Sequence, residues 1–267
     1  MLNSNNVRRL ALEVGFDDCG VARTNALTDD EYPLRSWLSK GWHAGLSYME
    51  RNVDKRMDPR LLVPGAKSVI CCVSAYPPPS SRGGVAAYAR TREYHKVVKD
   101  MLFRLRERLG IDGKLCCDTV PISDKHWAAR AGLGFIGRHT LLVTPRFGTW
   151  VNLGEIVTTE EIEIVAIEET KNENSKTASL LPGQDNPSSP DPHAAFCLKC
   201  HRGIDACPNH AIAPDDPPML DVARCTSYYT THHPQPLPDG LDAGGYTQGC
   251  DLCQLACPFN HRQTPKN

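Results

Sequence analysis

The sequence predicts an α+β fold in two unequal parts: a mixed-sheet N-terminal domain with flanking helices, then a small cysteine-rich domain. Three observations predict it. Helix-like and strand-like patterns alternate through roughly the first 165 residues. Between Glu168 and His193 the composition changes to Asn, Ser, Pro, Gly and charge, and seven of the twelve cysteines then lie between Cys197 and Cys257. The predicted boundaries are 1–167 for the α/β domain, 168–193 for a linker or surface excursion, and 194–267 for the cysteine-rich domain. A chain of 267 residues is long enough to bury a full core in such an arrangement.

Val7, Leu10, Ala11 and Val14 recur at helical spacing before Gly15, which predicts an N-terminal helix. The compact apolar run Val69 to Val73 predicts a buried strand. Tyr94, Val97, Val98, Met101, Leu102, Leu105 and Leu109 mark the clearest amphipathic helix, stopped by Gly110. Residues 115–118 predict another strand, and residues 123–131 a helix. Residues 140–144 and 150–158 flank a Pro-Arg-Phe-Gly turn and predict a hairpin. The last segment, rich in cysteine and proline, has the irregular pattern of a small domain that needs metal to hold it together.

A formal net charge of -1 excludes binding to nucleic acid or a membrane surface through the field of the whole chain. Such a partner needs a local patch. Residues 90–108 supply one candidate, with Arg90, Arg92, Lys96, Lys99, Arg104, Arg106 and Arg108 against Glu93, Asp100 and Glu107. That stripe is either a track for phosphates or a solvated helix face. The N-terminus lacks the apolar run of a signal peptide, and no stretch approaches the roughly 18 apolar residues of a transmembrane helix. The expected location is the cytoplasm, with no membrane partner.

A reducing compartment makes clustered cysteines metal ligands before it makes them disulfides. Cys19, Cys71, Cys72, Cys116 and Cys117 sit in apolar runs and read as small hydrophobes. The other seven do not. Cys197, Cys200, Cys207 and Pro208 fit the ferredoxin run C-x2-C-x2-C-x3-C-P at every position but the third, which is Gly203. Cys250, Cys253, Cys257 and Pro258 form a second run, with Cys225 between. In such pairs the last cysteine of each run ligates the other cluster, so two iron-sulfur clusters are expected. Zinc is the alternative, although C-x3-C-P endings are not zinc-finger spacing. Cys207, Cys225, Cys250 and Cys253 complete one 4Fe-4S cluster, while Cys197, Cys200 and Cys257 leave the other one thiolate short. His201 or Asp205 as a ligand, a 3Fe-4S cluster, and an iron left open all satisfy the spacing.

Beyond the cysteines, the chain carries Asp58-Pro-Arg-Leu-Leu-Val-Pro-Gly-Ala-Lys-Ser-Val, Ala87-Tyr-Ala-Arg, Glu93-Tyr-His and Cys117-Asp-Thr-Val-Pro. Ala128-Ala-Arg-Ala-Gly-Leu-Gly-Phe-Ile-Gly, Thr140-Leu-Leu-Val-Thr-Pro, Phe147-Gly-Thr-Trp, Leu153-Gly-Glu, Arg224-Cys-Thr-Ser-Tyr and Gly249-Cys-Asp-Leu-Cys-Gln follow. On these segments, from about Gly15 to Asn260, the chain resembles the epoxyqueuosine reductases, cobalamin-dependent iron-sulfur enzymes of queuosine synthesis in transfer RNA. The resemblance implies a ferredoxin-like double-cluster domain and a cobalamin held between it and the N-terminal domain. It also implies a two-electron deoxygenation in which an epoxide oxygen leaves as water.

The same resemblance makes Asp118 the proton donor, at the end of an apolar strand where desolvation would help it keep a proton; the rival reading is a cap on the turn into Pro121. It implies corrin contacts from Arg56, from the segment around Ala89, from Thr140 and Leu142, and from Ser227, Cys250 and Asp251. Gly132, Gly134 and Gly137 suit a loop whose backbone approaches a flat cofactor. His139 stands where the family usually has asparagine and reads as a polar loop residue or an axial ligand. The implied partners are a transfer RNA substrate, contacted near residues 232–236, and a reduced ferredoxin or flavodoxin-type electron donor; the chain is expected to act as a monomer. Gly203, the residues around 172–193 and the end at Asn267, where many members continue into helical repeats, depart from the family pattern. Two rival readings stay open: a corrinoid reductase of a small molecule, similar to reductive dehalogenases, and a non-catalytic electron carrier.

Overall fold

A computed structural model describes residues 2–29, 31–90, 93–166, 192–214, 217–232 and 236–262. The strands in chain order are β1 (Asp18–Arg23), β2 (Ser68–Ala75), β3 (Gly84–Val85), β4 (Lys114–Cys116), β5 (Phe135–Ile136), β6 (Leu142–Val143), β7 (Val151–Thr158) and β8 (Tyr246–Gln248). The α-helices are α1 (Ser4–Val14), α2 (Leu34–Ser39), α3 (Val53–Met57), α4 (Tyr94–Leu109), α5 (Asp124–Arg130), α6 (Pro192–Leu198), α7 (Arg202–Asp205) and α8 (Leu252–Leu255).

The main sheet has the order β1-β2-β7-β4, and every pairing in it is antiparallel. Its layers follow from the period of two along β2. Ile70 and Cys72 join the helices α1 and α4 on one face, against Val7, Ala11, Val98, Leu102 and Leu105. Val69, Cys71 and Val73 join Leu34, Met57, Trp127 and Ala128 on the other. A strand covered on both faces reads as a continuous apolar run, which is why Val69 to Val73 shows no alternation. Each large aliphatic side chain so buried contributes about 1.5–3 kcal/mol. The five cysteines expected to act as small hydrophobes are all buried in these two cores.

The helix α4 spans the predicted residues and stops at Gly110, whose φ of 64° is the left-handed cap conformation. It lies close to the sheet because β7 carries Gly154: a Cβ there would stand 2.5 Å from Val98 Cγ1 and 3.0 Å from Leu102 Cδ1.

Two expectations change in detail. Residues 140–144 and 150–158 do not form a hairpin, because β7 is a central strand with both edges already taken by β2 and β4. Leu142 and Val143 turn back instead onto Ile136 and Phe135, and the Pro-Arg-Phe-Gly turn is closed by a bridge between Thr144 and Gly148. Parallel pairing occurs among the described strands between β3 and β8, outside the four-stranded sheet. The residues expected as a linker lie outside the described residues up to 191, and α6 begins at Pro192.

The cysteine-rich part is short helices and turns, and it is tied to the sheet part at several points. Besides β3 and β8, Trp37 Nε1 donates to Leu220 O at 2.6 Å, and Thr149 N–H donates to Asn260 Oδ1 at 2.8 Å. The buried Asp251 accepts from Ala87 N–H at 2.8 Å.

Candidate active site and cluster cradle

Asp118 lies just beyond β4, at a φ of 56°, and Thr119 N–H folds back across it to Cys117 O at 2.6 Å. Asp tolerates this left-handed backbone better than most residues. The turn projects its carboxyl into a cleft of about 440 Å³ lined by Tyr48, Arg51, Asn52, Arg56, Asp118, Thr119, Val120 and Pro121. The side chain is 46% exposed, so the burial expected at the end of an apolar strand is absent: the strand stops before the carboxyl. Its environment is polar. Tyr94 Oη donates to Asp118 Oδ2 at 2.5 Å, His95 Nε2 lies 3.2 Å from the same oxygen, and His95 Nδ1 is 2.5 Å from Glu93 Oε1. The Tyr94 and His95 rings stack at 4.0 Å, which presents both to one oxygen.

Behind this carboxyl lies an acidic stack. Asp124, at the start of α5, is within hydrogen-bonding reach of both Asp118 and Glu155, and Glu155 is fully buried in β7. Neither Glu155 oxygen has a donor among the described residues, nor does Asp124 Oδ1. Burial pushes the Asp124 carboxyl up to about 7, with Asp118 adding to the rise and Glu155 opposing it, and burial pushes that of Glu155 well above the usual carboxylate range, with Asp124 adding to it. Such a pair holds protons near neutrality. At the next residue in α5, burial lowers the Lys125 ammonium to about 8, and its Nζ donates to Thr140 O at 2.5 Å.

The seven clustered cysteines fall into two neighbourhoods. Cys253 is influenced by Cys250, Cys225 and Cys207, while Cys257 is influenced by Cys197 and Cys200. The second set opens onto a small cavity lined also by Arg138, His139, Gly203, Pro258 and Phe259. Burial raises the Cys250 thiol to about 11 and raises Cys197, Cys225, Cys253 and Cys257 as well, so these thiols stay protonated until a cation replaces the proton. Backbone N–H groups already point at sulfur, from Arg138 to Cys197 at 3.4 Å and from Ala211 to Cys207 at 3.3 Å. Among the described residues no three His, Cys, Asp or Glu side chains converge closely enough to hold a single metal ion. The Cys197, Cys200 and Cys257 thiols line a cavity rather than meet at a point, which suits a polynuclear cluster better than zinc.

The other predicted site residues distribute unevenly. Arg56 shares the cleft with Asp118, and its Nε is buried without a partner among the described residues. Ala89 lies on the turn that Asp251 anchors, so the Asp251 side chain is engaged with Ala87 N–H rather than free. Thr140 has a φ of 67° and is buried, as is Leu142 in β6. Ser227 donates its backbone N–H to Cys225. Tyr88 connects the two regions, with its hydroxyl 3.3 Å from Thr231 Oγ1 and its ring edge-on to Tyr94 at 6.4 Å. Tyr48, Arg51, Tyr94 and His95 were not assigned roles from sequence; for the last two the signal was the Glu-Tyr-His segment opening α4.

The basic stripe is largely spent on neighbours. Lys96 pairs with Asp100, Arg108 with Glu13, and Arg106 with Glu107. Arg104, Lys99 and Arg90 donate to Val14 O, Thr119 Oγ1 and backbone carbonyls around Gly83. Arg92 lies outside the described residues, as do residues 233–235 of the expected RNA-contacting segment.

The family profile "Epoxyqueuosine reductase QueG, DUF1730" matches residues 56–119, and "4Fe-4S double cluster binding domain" matches residues 196–260. An epoxyqueuosine reductase of Cyclobacterium marinum is 34% identical over 97% of this chain and 79% of its own length. The chain belongs to the epoxyqueuosine reductase family. A second member, from Synechococcus sp. strain CC9605, is 35% identical over 99% of this chain and 78% of its own. A crystal structure of an epoxyqueuosine reductase with an epoxyqueuosine-modified tRNA-Tyr stem loop superposes with a TM-score of 0.75 at 28% identity, over 97% of this chain. This chain spans 66% of that one. A reductive dehalogenase described as acting by B12-dependent dehalogenation shares the fold, with a TM-score of 0.54 at 14% identity over 96% of this chain and 31% of its own. No helix among the described residues is long and apolar enough to cross a membrane.

Proposed function

We propose that this family member removes the epoxide oxygen of epoxyqueuosine in transfer RNA, and that Asp118 delivers the proton that lets the oxygen depart. The carrying observation is Asp118 itself, held at the wall of a 440 Å³ cleft by Tyr94 and His95, with a protonatable pair behind it. The reaction consumes two electrons and two protons and yields an alkene and water.

Of the residues expected at the corrin, Arg56 and Asp118 line the cleft. Arg56 Nε is an unpaired buried donor on its wall. Arg56, the turn at Ala89, and backbone groups at Thr140, Leu142, Ser227, Cys250 and Asp251 are the residues that would hold cobalamin. When bound, it would supply a reduced cobalt centre for the two-electron step, and the clusters would supply the electrons one at a time. The cysteine sets Cys207, Cys225, Cys250, Cys253 and Cys197, Cys200, Cys257 would hold the two clusters. A reduced ferredoxin or flavodoxin-type protein is the donor in this reading, and the reduced thiols suit the cytoplasm.

The Asp118 carboxyl is the group that carries the proton, and its Oδ2 accepts from Tyr94 Oη. Tyr94 and His95 orient it toward the cleft. Asp124 and Glu155 stand behind it as a store: each proton given up at Asp118 is replaced along the carboxyls. Arg51 and Arg56 provide positive charge for a polyanionic substrate at the cleft itself, a role that the paired cations of α4 do not offer.

The local pairing of the α4 cations favours one alternative, a corrinoid reductase of a small molecule. Anaerobic reconstitution of the full chain separates the two readings. Turnover of an epoxyqueuosine stem loop that drops about 10²–10⁴-fold in Asp118→Asn supports the proposal. Stoichiometric cobalt with no turnover of the RNA moves the assignment to the small-molecule reductase.

A further inference from the structure

The cysteine missing at position 203 leaves a space, and the structure shows what faces it. A Cβ built on Gly203 would lie 3.5 Å from both Cβ and Cδ2 of His139, and 3.3 Å from Cys253 O. His139 is 6% exposed, lines the cavity of Cys197, Cys200 and Cys257, and has no hydrogen-bond partner at Nε2 among the described residues. A buried imidazole nitrogen without a partner is costly unless something occupies the space beside it. His201 and Asp205, the two candidate ligands on either side of the gap, are exposed and do not line that cavity.

We propose that His139 Nε2 is the fourth protein ligand of the iron-sulfur cluster held by Cys197, Cys200 and Cys257. It stands in for the cysteine that the ferredoxin run places where this chain has glycine. The proposal rests on the double-cluster reading of the chain. Two departures from the family pattern thereby become one. Histidine in place of the usual asparagine brings an iron ligand into the cavity, and glycine in place of cysteine makes room for it. A thiol at 203 would compete with the imidazole for the same space. The neighbouring Arg138 N–H already reaches Cys197 Sγ, so this loop borders the cluster cavity at two successive residues.

Ligation by a neutral imidazole needs the lone pair at Nε2 and the ring proton at Nδ1. Nδ1 now accepts only a long 3.3 Å contact from Leu141 N–H. Moving the proton to Nδ1 gives up that contact and frees Nε2 for iron. Histidine ligation is known to raise an iron-sulfur potential where it replaces thiolate, because a neutral ligand removes negative charge from the cluster.

The test uses the full chain, reconstituted anaerobically with iron and sulfide, with ¹⁴N- or ¹⁵N-labelled histidine. The readouts are iron content and pulsed EPR of the reduced protein. The wild type is expected to hold about eight irons and to show a strong nitrogen coupling that changes with the label. His139→Asn is expected to lose that coupling, to fall by about one iron, and to show the EPR signal of an oxidised three-iron cluster. His139→Asn with Gly203→Cys is expected to regain the iron without the nitrogen signal, and it keeps the test decisive if the single variant folds poorly. A full complement of iron with no histidine coupling in the wild type would overturn the ligand assignment while leaving the double cluster intact. A wild-type chain that assembles no cluster would overturn the double-cluster reading and the assignment with it.

Discussion

Tyr94 Oη and His95 Nε2 converge on a single oxygen, Oδ2 of Asp118, at 2.5 and 3.2 Å. Adjacent residues at the start of a helix do not ordinarily reach one point. Here they do so because their rings stack and because Asp118 sits in a left-handed turn that lifts its carboxyl toward them. A hydrogen bond to a neutral carboxyl contributes about 0.5–1.5 kcal/mol. Tyr94→Phe is therefore expected to slow single-turnover reduction by about 2–10-fold. Its melting temperature should stay within a few degrees of wild type, because the hydroxyl stands at the cleft and not in the core. An unchanged rate would remove Tyr94 from the positioning of Asp118.

The Asp124 and Glu155 pair makes stability depend on pH. Burial raises both carboxyls, Asp124 from an ordinary 3.8 to about 7. Between those values the folded chain binds more protons than the unfolded chain, so stability falls as pH rises through the window. Asp124→Asn is expected to flatten the dependence. Urea midpoints at pH 5 and pH 8 measure it, and equal slopes in variant and wild type would contradict the assignment.

Gly154 sets the distance between α4 and the sheet. Gly154→Ala places a methyl group against Val98 and Leu102, deep in a core that both helices on that face share. A destabilisation of about 1–3 kcal/mol is expected from overpacking, read from chemical denaturation.

Asp251 joins the second cysteine run to the turn at Ala87 through one buried hydrogen bond. Asp251→Ala leaves the Ala87 N–H without its acceptor, at a cost of about 1–3 kcal/mol. The Ala87 amide is expected to exchange with deuterium faster in the variant while amides of β2 keep their protection. Equal slowing or quickening throughout the sheet would instead indicate a global change.

Much of this was legible in the sequence, and the reasons are local. The α4 pattern and its Gly110 stop survive because an amphipathic stripe and a left-handed cap are properties of consecutive residues. The run Val69 to Val73 is legible for the same reason, since burial on both faces needs only apolar side chains. The misread hairpin has the opposite cause: strands 142–143 and 151–158 are close in sequence, but their partners are chosen by which sheet edge is open. Asp118 is singled out by its motif, yet its exposed setting is not, because the end of β4 depends on what β7 offers it.

The sequence by itself determined the spacing of seven clustered cysteines, the family segments around Asp118, and the absence of one cysteine at position 203. These are features of covalent order and residue type. Only the tertiary structure decided what stands in front of that glycine. His139 belongs to the sheet part and Gly203 to the cysteine-rich part, and no periodicity links them. They meet because β5 and β6 fold back beside Cys197, so that the packing of the two parts, and not either segment alone, brings an imidazole to the place a thiol has vacated.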